Sequence, residues 1–122
     1  MKRIVTAAML AAGLQTFTMA GPSAAAEMTW VIQSVYQYTV HLEFYSQNYS
    51  RAWPGGGEAY VLDDSADHSY TLVCEIGEKI CFGAWSSGDP DTYWGVGMDD
   101  DEGCERCCYV CGDGNPNPKV LE

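Results

Sequence analysis

Hydrophobic and polar residues alternate along most of the chain beyond residue 26. In the segment 38–45 the apolar side chains share one face, formed by Tyr38, Val40, Leu42 and Phe44. His41 and Glu43 lie on the opposite face. A period of two predicts half-buried β-strands, because an amphipathic helix would repeat its apolar positions every 3.6 residues. No stretch of the chain carries a convincing long helical pattern.

Further strand candidates are spaced along the chain between clusters of glycine, proline, aspartate and serine. They are the segments 30–35, 59–62, 68–75, 79–85 and 92–98. Short strands separated by such turn residues predict an all-β fold, a small antiparallel β-sandwich or barrel of about six to eight strands. Gly83 and Gly95 interrupt two of these strands, and we expect them to mark bulges or close backbone approach beside Trp85 and Trp94.

The first 26 residues have the order of a cleaved secretory signal. Lys2 and Arg3 precede an apolar stretch at 4–14, and small residues follow up to Ala26. The apolar stretch is too short to span a bilayer as a helix, which takes about 20 residues. The sequence therefore predicts a signal peptide at 1–26, with a cut after Ala20 as the alternative, and a secreted or periplasmic protein without stable membrane insertion.

The remaining chain is long enough for one small domain. We expect a disulfide-rich β domain at 27–111 and an extended C-terminal tail at 112–122, in which Val120 and Leu121 could add an edge strand. The whole sequence has 6 Lys and Arg residues against 17 Asp and Glu, a net charge of −11. This balance argues against nucleic acid and against anionic membrane surfaces, because few cations are present to neutralise phosphates.

Six cysteines are the most distinctive feature of the sequence: Cys74, Cys81, Cys104, Cys107, Cys108 and Cys111. After an export signal, such a set predicts three disulfides, which would compensate for the small core of a short chain. The segment 75–80 reads as a hairpin, so we favour a Cys74–Cys81 pair and leave the other four unassigned. In the alternative pairing, Cys74 and Cys81 each reach across to the second cluster.

Metal binding is the first alternative function. Two C-x-x-C pairs could hold zinc, but they abut directly and leave no loop that could wrap the ion. The carboxylates at 99–102 and 63–67 could collect calcium, although both runs lack the spacing and the glycine of an EF-hand loop. We therefore predict no resident metal or other cofactor.

Aromatic side chains near loops and glycines supply the candidate binding residues. These are Trp53, Trp85, Tyr93 and Trp94, with a rim of carboxylates at Asp89, Asp91 and 99–102. Exposed rings beside acidic groups could stack on a sugar or a peptide, whereas the alternative is that they only fill the core. His41 and His68 lack any accompanying nucleophile motif, so no catalytic residue is assigned and a small secreted hydrolase is the second alternative.

These features together predict a non-enzymatic binding module. An acidic surface favours basic or neutral partners, so a protein, a peptide or a glycan is expected as the ligand. The sequence leaves the oligomeric state open.

Three motifs give the chain a resemblance to a group of short exported bacterial proteins. They are the segment 77–85 (GEKICFGAW), the segment 93–97 (YWGVG) and the C-x-x-C-C-x-x-C cluster. The strand end 44–46 and the Trp53-Pro54 loop occur in the same order in that group. The resemblance spans about residues 40–111 and implies export and a shared small fold, but the group has no assigned function and implies no catalytic residue.

Overall fold

The computed structural model describes residues 25–122, and these fold almost entirely into β-strands. Residues 1–24, which hold most of the predicted signal peptide, lie outside the described part. The strands in chain order are β1 (Ala25–Ser34), β2 (Val40–Ser46), β3 (Ala52–Trp53), β4 (Tyr60–Leu62), β5 (Asp67–Glu75), β6 (Lys79–Ser86), β7 (Asp89–Gly95), β8 (Cys108–Val110) and β9 (Lys119–Leu121). A short 3-10 helix, Met98–Asp100, follows β7. The predicted all-β class is confirmed.

The described strands form two separate sheets. The small sheet has the order β5-β1-β9, and β9 runs parallel to β1. The large sheet has β2 and β6 at its centre; β3 and β4 pair with the outer side of β2, and β7 and β8 with the outer side of β6. All pairings except β1 with β9 are antiparallel.

The core lies between the inner faces of the two sheets. Trp30 of the small sheet packs against Phe44 and Phe82 of the large sheet, with ring centroids 5.3 and 5.9 Å apart. The alternation of β2 has the predicted phase at Val40, Leu42 and Phe44, which are fully buried. The prediction is wrong for Tyr38, which precedes β2 and is exposed, and Tyr45 on the opposite face is buried because the loop at 96–103 covers it. Each such side chain contributes roughly 1.5–3 kcal/mol by leaving water, so facing the sheets together is the main source of stability.

The first strand begins inside the predicted signal peptide. Ala25 and Ala26 belong to β1 and pair with Glu75 and Cys74 of β5. A cut after Ala26 would remove these two pairs, whereas a cut after Ala20 would leave β1 complete.

The structure overturns the favoured Cys74–Cys81 pairing. The three disulfides are Cys74–Cys111, Cys81–Cys108 and Cys104–Cys107. The reason is topological: β5 belongs to the small sheet and β6 to the large sheet, so the turn between them crosses from one layer to the other and is not a hairpin. The expectation of three disulfides is confirmed, and the connectivity is the alternative in which both cysteines reach the second cluster.

A buried carboxylate fixes this crossing turn. The Glu78 side chain has no exposed area and accepts hydrogen bonds from the Arg51 guanidinium and from the Glu75 N–H. Burial disfavours the carboxylate charge, but the hydrogen bonds from Arg51, Ser46 and the Glu75 backbone outweigh it and hold the pKa of Glu78 below its ordinary value. Glu78 therefore ties the β2–β3 loop to the turn between the sheets.

The C-terminal segment is fixed to the small sheet. β9 pairs with the end of β1, and Leu121 is buried in the core, so the expected edge strand is present. Upstream, the Asn115 side chain accepts a hydrogen bond from the Thr29 N–H at 2.9 Å.

Candidate functional site

A row of large side chains crosses the outer face of the large sheet. Val61, His41, Trp85 and Tyr93 are register neighbours on β4, β2, β6 and β7. Because each strand directs alternate side chains to opposite faces, this row points away from the core that Leu42 and Ala84 occupy. We call these four residues the outer row.

The centre of the outer row is a stack of two rings. His41 and Trp85 lie nearly parallel, with centroids 5.9 Å apart and planes inclined by 14°. At the ends of the row, Val61 is 51% exposed and Tyr93 is 46% exposed. The row is therefore a continuous aromatic and apolar strip that water can reach.

Two glycines make room for a loop beside the outer row. Gly83 pairs with Gly95 on the neighbouring strand. A Cβ at Gly83 would stand 2.1 Å from the carbonyl oxygen of Gly97, so the loop at 96–103 lies directly on the sheet there. At Gly95 a Cβ would meet the carbonyl oxygen of Phe82 at 2.2 Å. The close backbone approach expected from these strand glycines is confirmed.

Side chains from β2 hold the loop in place. The Asp99 N–H donates a hydrogen bond to the Tyr45 hydroxyl at 3.0 Å, and Gln47 Nε2 donates to Asp100 Oδ2 at 3.0 Å. Both aspartates have a φ of 59°, the left-handed region that residues with a side chain rarely adopt. Burial raises the pKa of Tyr45, so its hydroxyl stays protonated as a neutral anchor.

The loop and the outer row enclose a shallow groove of about 230 Å³. It is lined by Trp85, Tyr93, Gly97, Met98, Asp101 and Glu102. Trp85, Tyr93 and Met98 form its apolar lining, which we call the aromatic wall. Asp101 and Glu102 form its charged lining, which we call the carboxylate wall. The Tyr93 hydroxyl lies 3.4 Å from Glu102 Oε2 and donates to it, which links the two walls.

The electrostatic character of the groove is negative. None of its lining residues is a lysine or an arginine. Next to it, partial burial raises the pKa of Glu43, and the negative charge of Asp99 raises it further. The Asp99 carboxylate thus adds negative charge beside the groove.

Comparisons with protein-family models, curated protein sequences and solved structures gave no match to this chain. The chemistry of the groove is therefore the guide to its function. The resemblance to short exported bacterial proteins stays a prediction.

The four predicted binding residues do not form one surface. Trp85 and Tyr93 lie together on the outer row. Trp94 pairs with Ala84 on the inner side, packs edge to face on Tyr36 and donates its Nε1 hydrogen to the backbone oxygen of Glu122 at 3.2 Å. Trp53 pairs with Phe44 at the opposite edge of the sheet, under the Arg51 guanidinium. Trp53 and Trp94 thus belong to the margins of the core.

Strand alternation alone could have separated Tyr93 from Trp94, because consecutive residues of a strand point to opposite faces. The same rule places His41 and Glu43 on one face, but only the register shows that His41 meets Trp85. Met98 had no sequence signal, since its position depends on the loop that covers Gly83.

The predicted acidic rim is only partly present at the groove. Asp101 and Glu102 line it. Asp89 instead accepts hydrogen bonds from Thr92 Oγ1 and from the Asp91 N–H, which closes the turn between β6 and β7.

Residues 25–122 contain no group of three or more histidine, cysteine, aspartate or glutamate side chains placed to hold a metal ion. The segment 63–67 contributes Asp64, whose carboxylate contacts His68 Nε2 at 2.7 Å and the Ala66 N–H at 2.9 Å. The hydrogen bond from His68 lowers the pKa of Asp64. Among these residues there is also no helix long and apolar enough to cross a bilayer.

Proposed function

We propose that this chain is an exported, disulfide-stapled module that binds a cationic group in the groove beside the outer row and has no enzymatic activity. The observation that carries the proposal is that two aromatic rings and two carboxylates line the same groove, without a basic side chain among the lining residues. A guanidinium or ammonium group on a peptide, a protein or a glycan would satisfy both walls at once.

The aromatic wall would contribute through cation–π attraction. A cation over a tryptophan or tyrosine ring gains roughly 0.5–1 kcal/mol at an exposed site and more when water is excluded. Trp85 is half-buried, and its stacking on His41 holds the ring in one orientation. The ligand would therefore meet a preformed surface and lose little energy in ordering it.

The carboxylate wall would contribute through charge. Burial raises the pKa of Glu43 and the negative charge of Asp99 raises it further, so additional positive charge near this face is favourable. A bound cation would supply it and would move the pKa of Glu43 back toward its ordinary value. Binding through this wall should weaken in high salt, because exposed charges are screened over about 10 Å at 0.1 M ionic strength.

Binding is favoured over catalysis by the state of the reactive side chains. All six cysteines are in disulfides, so no thiol is available as a nucleophile. His41 stacks on Trp85, and His68 contacts Asp64. The disulfides themselves support export, because such bonds persist mainly in oxidising compartments.

The test compares N-acetyl-arginine amide with its uncharged citrulline analogue by NMR titration of the isotope-labelled protein. We expect the arginine compound to shift the Trp85 indole and Gly97 amide signals, with a Kd on the order of 1 mM for so small a ligand. Tyr93→Ala should weaken binding about 2–5-fold, which is the loss of one exposed ring contact.

Tyr38→Ala is the matched control. Tyr38 is 57% exposed, comparable with Tyr93 at 46%, but it does not line the groove. Equal binding of the citrulline compound would refute cation recognition. An equal loss in both tyrosine variants, or shifts that map elsewhere on the protein, would refute the site.

A further inference from the structure

The longest open strand edge of the described chain belongs to β5. It forms one margin of the small sheet and pairs with β1 over nine consecutive positions without a bulge. On its other side, no strand of residues 25–122 is paired with it. We call the free side of residues 67–74 the β5 edge.

Backbone groups along the β5 edge lack hydrogen-bond partners within the described chain. In an antiparallel pair, alternate residues direct both their N–H and C=O groups away from the partner strand. The backbone bonds of residues 67–74 go to β1 only. A partner outside the sheet first occurs at Glu75, whose N–H donates to Glu78 Oε1 and whose carbonyl accepts from the Glu78 N–H. The edge is thus an open template about 27 Å long.

The usual devices that block an open edge are missing from β5. Native proteins protect edges with lysine, proline, bulges or very short strands. β5 contains neither lysine nor proline, and its register is unbroken. The edge strands β3, β4, β8 and β9 have only two or three residues each, and β7 contains a proline. The second side of β1 is covered by β9 at 32–34 and is bonded to Asn115 at Thr29, which leaves a shorter and interrupted open stretch. The β5 edge is therefore the longest uninterrupted run of open strand backbone in the described chain.

The acidic residues at the ends of β5 argue against a second copy of this chain as the added strand. An antiparallel copy centred on Thr71 would set Asp67 opposite Glu75, and a parallel copy in register would set each of these acids opposite itself. Like charges directly opposite are destabilising in a sheet. The net charge of −11 adds general repulsion between copies.

The same charges are complementary to a basic peptide. Asp67 lies at one end of β5 and Glu75, which accepts a hydrogen bond from the Tyr49 hydroxyl, lies at the other end. The residues between them, 69–73, are neutral. Arg51 lies near Glu75 but is ion-paired with Glu78, so these three groups together carry a net negative charge. Because both ends are acidic, a strand with a basic residue at each end fits in either direction.

The side chains of β5 define what lies between those basic ends. Leu72 and Cys74 are buried toward the core, so alternate residues of an added strand would face the same inner layer. On the outer side, Thr71 bonds Thr29, and Val73 is 57% exposed. β-Branched residues at alternate positions of the added strand would pack against this outer side.

We propose that the β5 edge binds an extended peptide segment that has basic residues at both ends and β-branched residues between them, by adding it as a fourth strand of the small sheet. This site is separate from the groove on the large sheet. Main-chain hydrogen bonds would supply affinity, and the end charges would supply selectivity.

The probe is the nine-residue synthetic peptide Lys-Thr-Val-Thr-Val-Thr-Val-Thr-Lys with blocked termini, which matches the length of β5 and is added to the disulfide-intact protein. We expect saturable binding and slower amide hydrogen exchange at 67–74. Two matched peptides test the two contributions: one with glutamate at both ends, and one with the lysines kept and alternate backbone nitrogens methylated. Both should bind at least about tenfold more weakly. The glutamates of the first peptide are repelled by Asp67 and Glu75, and the methyl groups of the second remove N–H donors that would bond to β5.

Val73→Lys should weaken binding by a similar factor, since an edge lysine blocks strand addition. Val120→Lys is its control, because Val120 is 50% exposed on the opposite edge of the same sheet. The readout for both variants is amide protection at 67–74, because the lysines of the peptide would also be attracted to the groove of the large sheet.

Three results would overturn the proposal. Undiminished binding of the methylated peptide would exclude strand addition, and this arm uses the unaltered protein, so it remains decisive even if a variant fails to fold. Equal binding of the glutamate-ended peptide would exclude the charge argument. Dimerisation without peptide, with protection at 67–74, would assign the edge to a second copy.

Discussion

The three disulfides should differ strongly in what they contribute to stability, because they close loops of very different length. The bonded cysteines are 37 residues apart in Cys74–Cys111, 27 apart in Cys81–Cys108 and only 3 apart in Cys104–Cys107. The first two join strands or loops that are distant in the chain. The third closes a single turn.

The chain-entropy relation converts these separations into free energies. It gives about 4 kcal/mol for Cys74–Cys111, about 3.5 kcal/mol for Cys81–Cys108 and about 1.5 kcal/mol for Cys104–Cys107. Burial adds to the difference for Cys74–Cys111, because both cysteines are 1% exposed and their replacement would also leave cavities. Each of the other two bridges joins one buried and one half-buried cysteine, so burial does not separate them. We expect a gap of at least about 2 kcal/mol between the short bridge and either long one.

The assay is urea denaturation, followed by tryptophan fluorescence, of three double alanine variants. Cys104→Ala with Cys107→Ala should remain cooperatively folded. Either long-bridge variant should lose a large part of a stability that is typically 5–15 kcal/mol for a domain. If a variant is already unfolded in water, sucrose is added to stabilise its folded state. The sucrose concentration at which folding returns, measured by circular dichroism, then ranks the variants.

Equal losses in all three variants would refute the loop-length reasoning. Non-reducing peptide mapping of the parent protein tests the pairing on which it rests. A peptide linking Cys74 to Cys81 would show that the assigned pairs are wrong.

Two further predictions concern stability. Glu78→Gln should lower the free energy of unfolding at pH 7 by about 1–3 kcal/mol, and because the pKa of Glu78 is lowered, this difference should disappear as the pH falls through that pKa. Glu43→Gln should instead raise the free energy of unfolding at pH 7. Because the pKa of Glu43 is raised from 4.5, this gain should be lost below about pH 4.5. Thermal melts at pH 7 and pH 3 check both signs, and the same sign in both variants would contradict them. Gly83→Ala should destabilise by about 2–3 kcal/mol through overlap with the Gly97 carbonyl, whereas Gly88→Ala meets nothing within 4 Å. Equal melting temperatures for the two glycine variants would contradict this packing.

The groove depends on two glycines in neighbouring strands, Gly83 and Gly95. Gly83 and Gly95 leave the outer face without side chains at one point, so the loop at 96–103 can lie on the sheet. The loop then brings Met98 and Glu102 beside Trp85. Replacing either strand glycine would therefore alter the groove as well as the stability.

The sequence by itself determined where the longer strands β1, β2, β5 and β6 lie and which of their faces is buried, whereas β3 and β8 were not predicted. In β2, alternation placed Val40, Leu42 and Phe44 in the core, because a strand turns successive side chains to opposite sides whatever surrounds it. The six cysteines and the acidic balance likewise required no structure to predict disulfides and to argue against nucleic acid.

Tertiary structure alone decided which strands meet. The segment between Cys74 and Cys81 has the residues of a hairpin, but burying both sheets against each other makes it a crossing turn, and the disulfides follow that topology. The same applies to the groove, since His41, Trp85 and Tyr93 become neighbours only through register. Local patterns encode the direction of a side chain, whereas pairing minimises the free energy of the whole core, to which residues far apart in the chain contribute together.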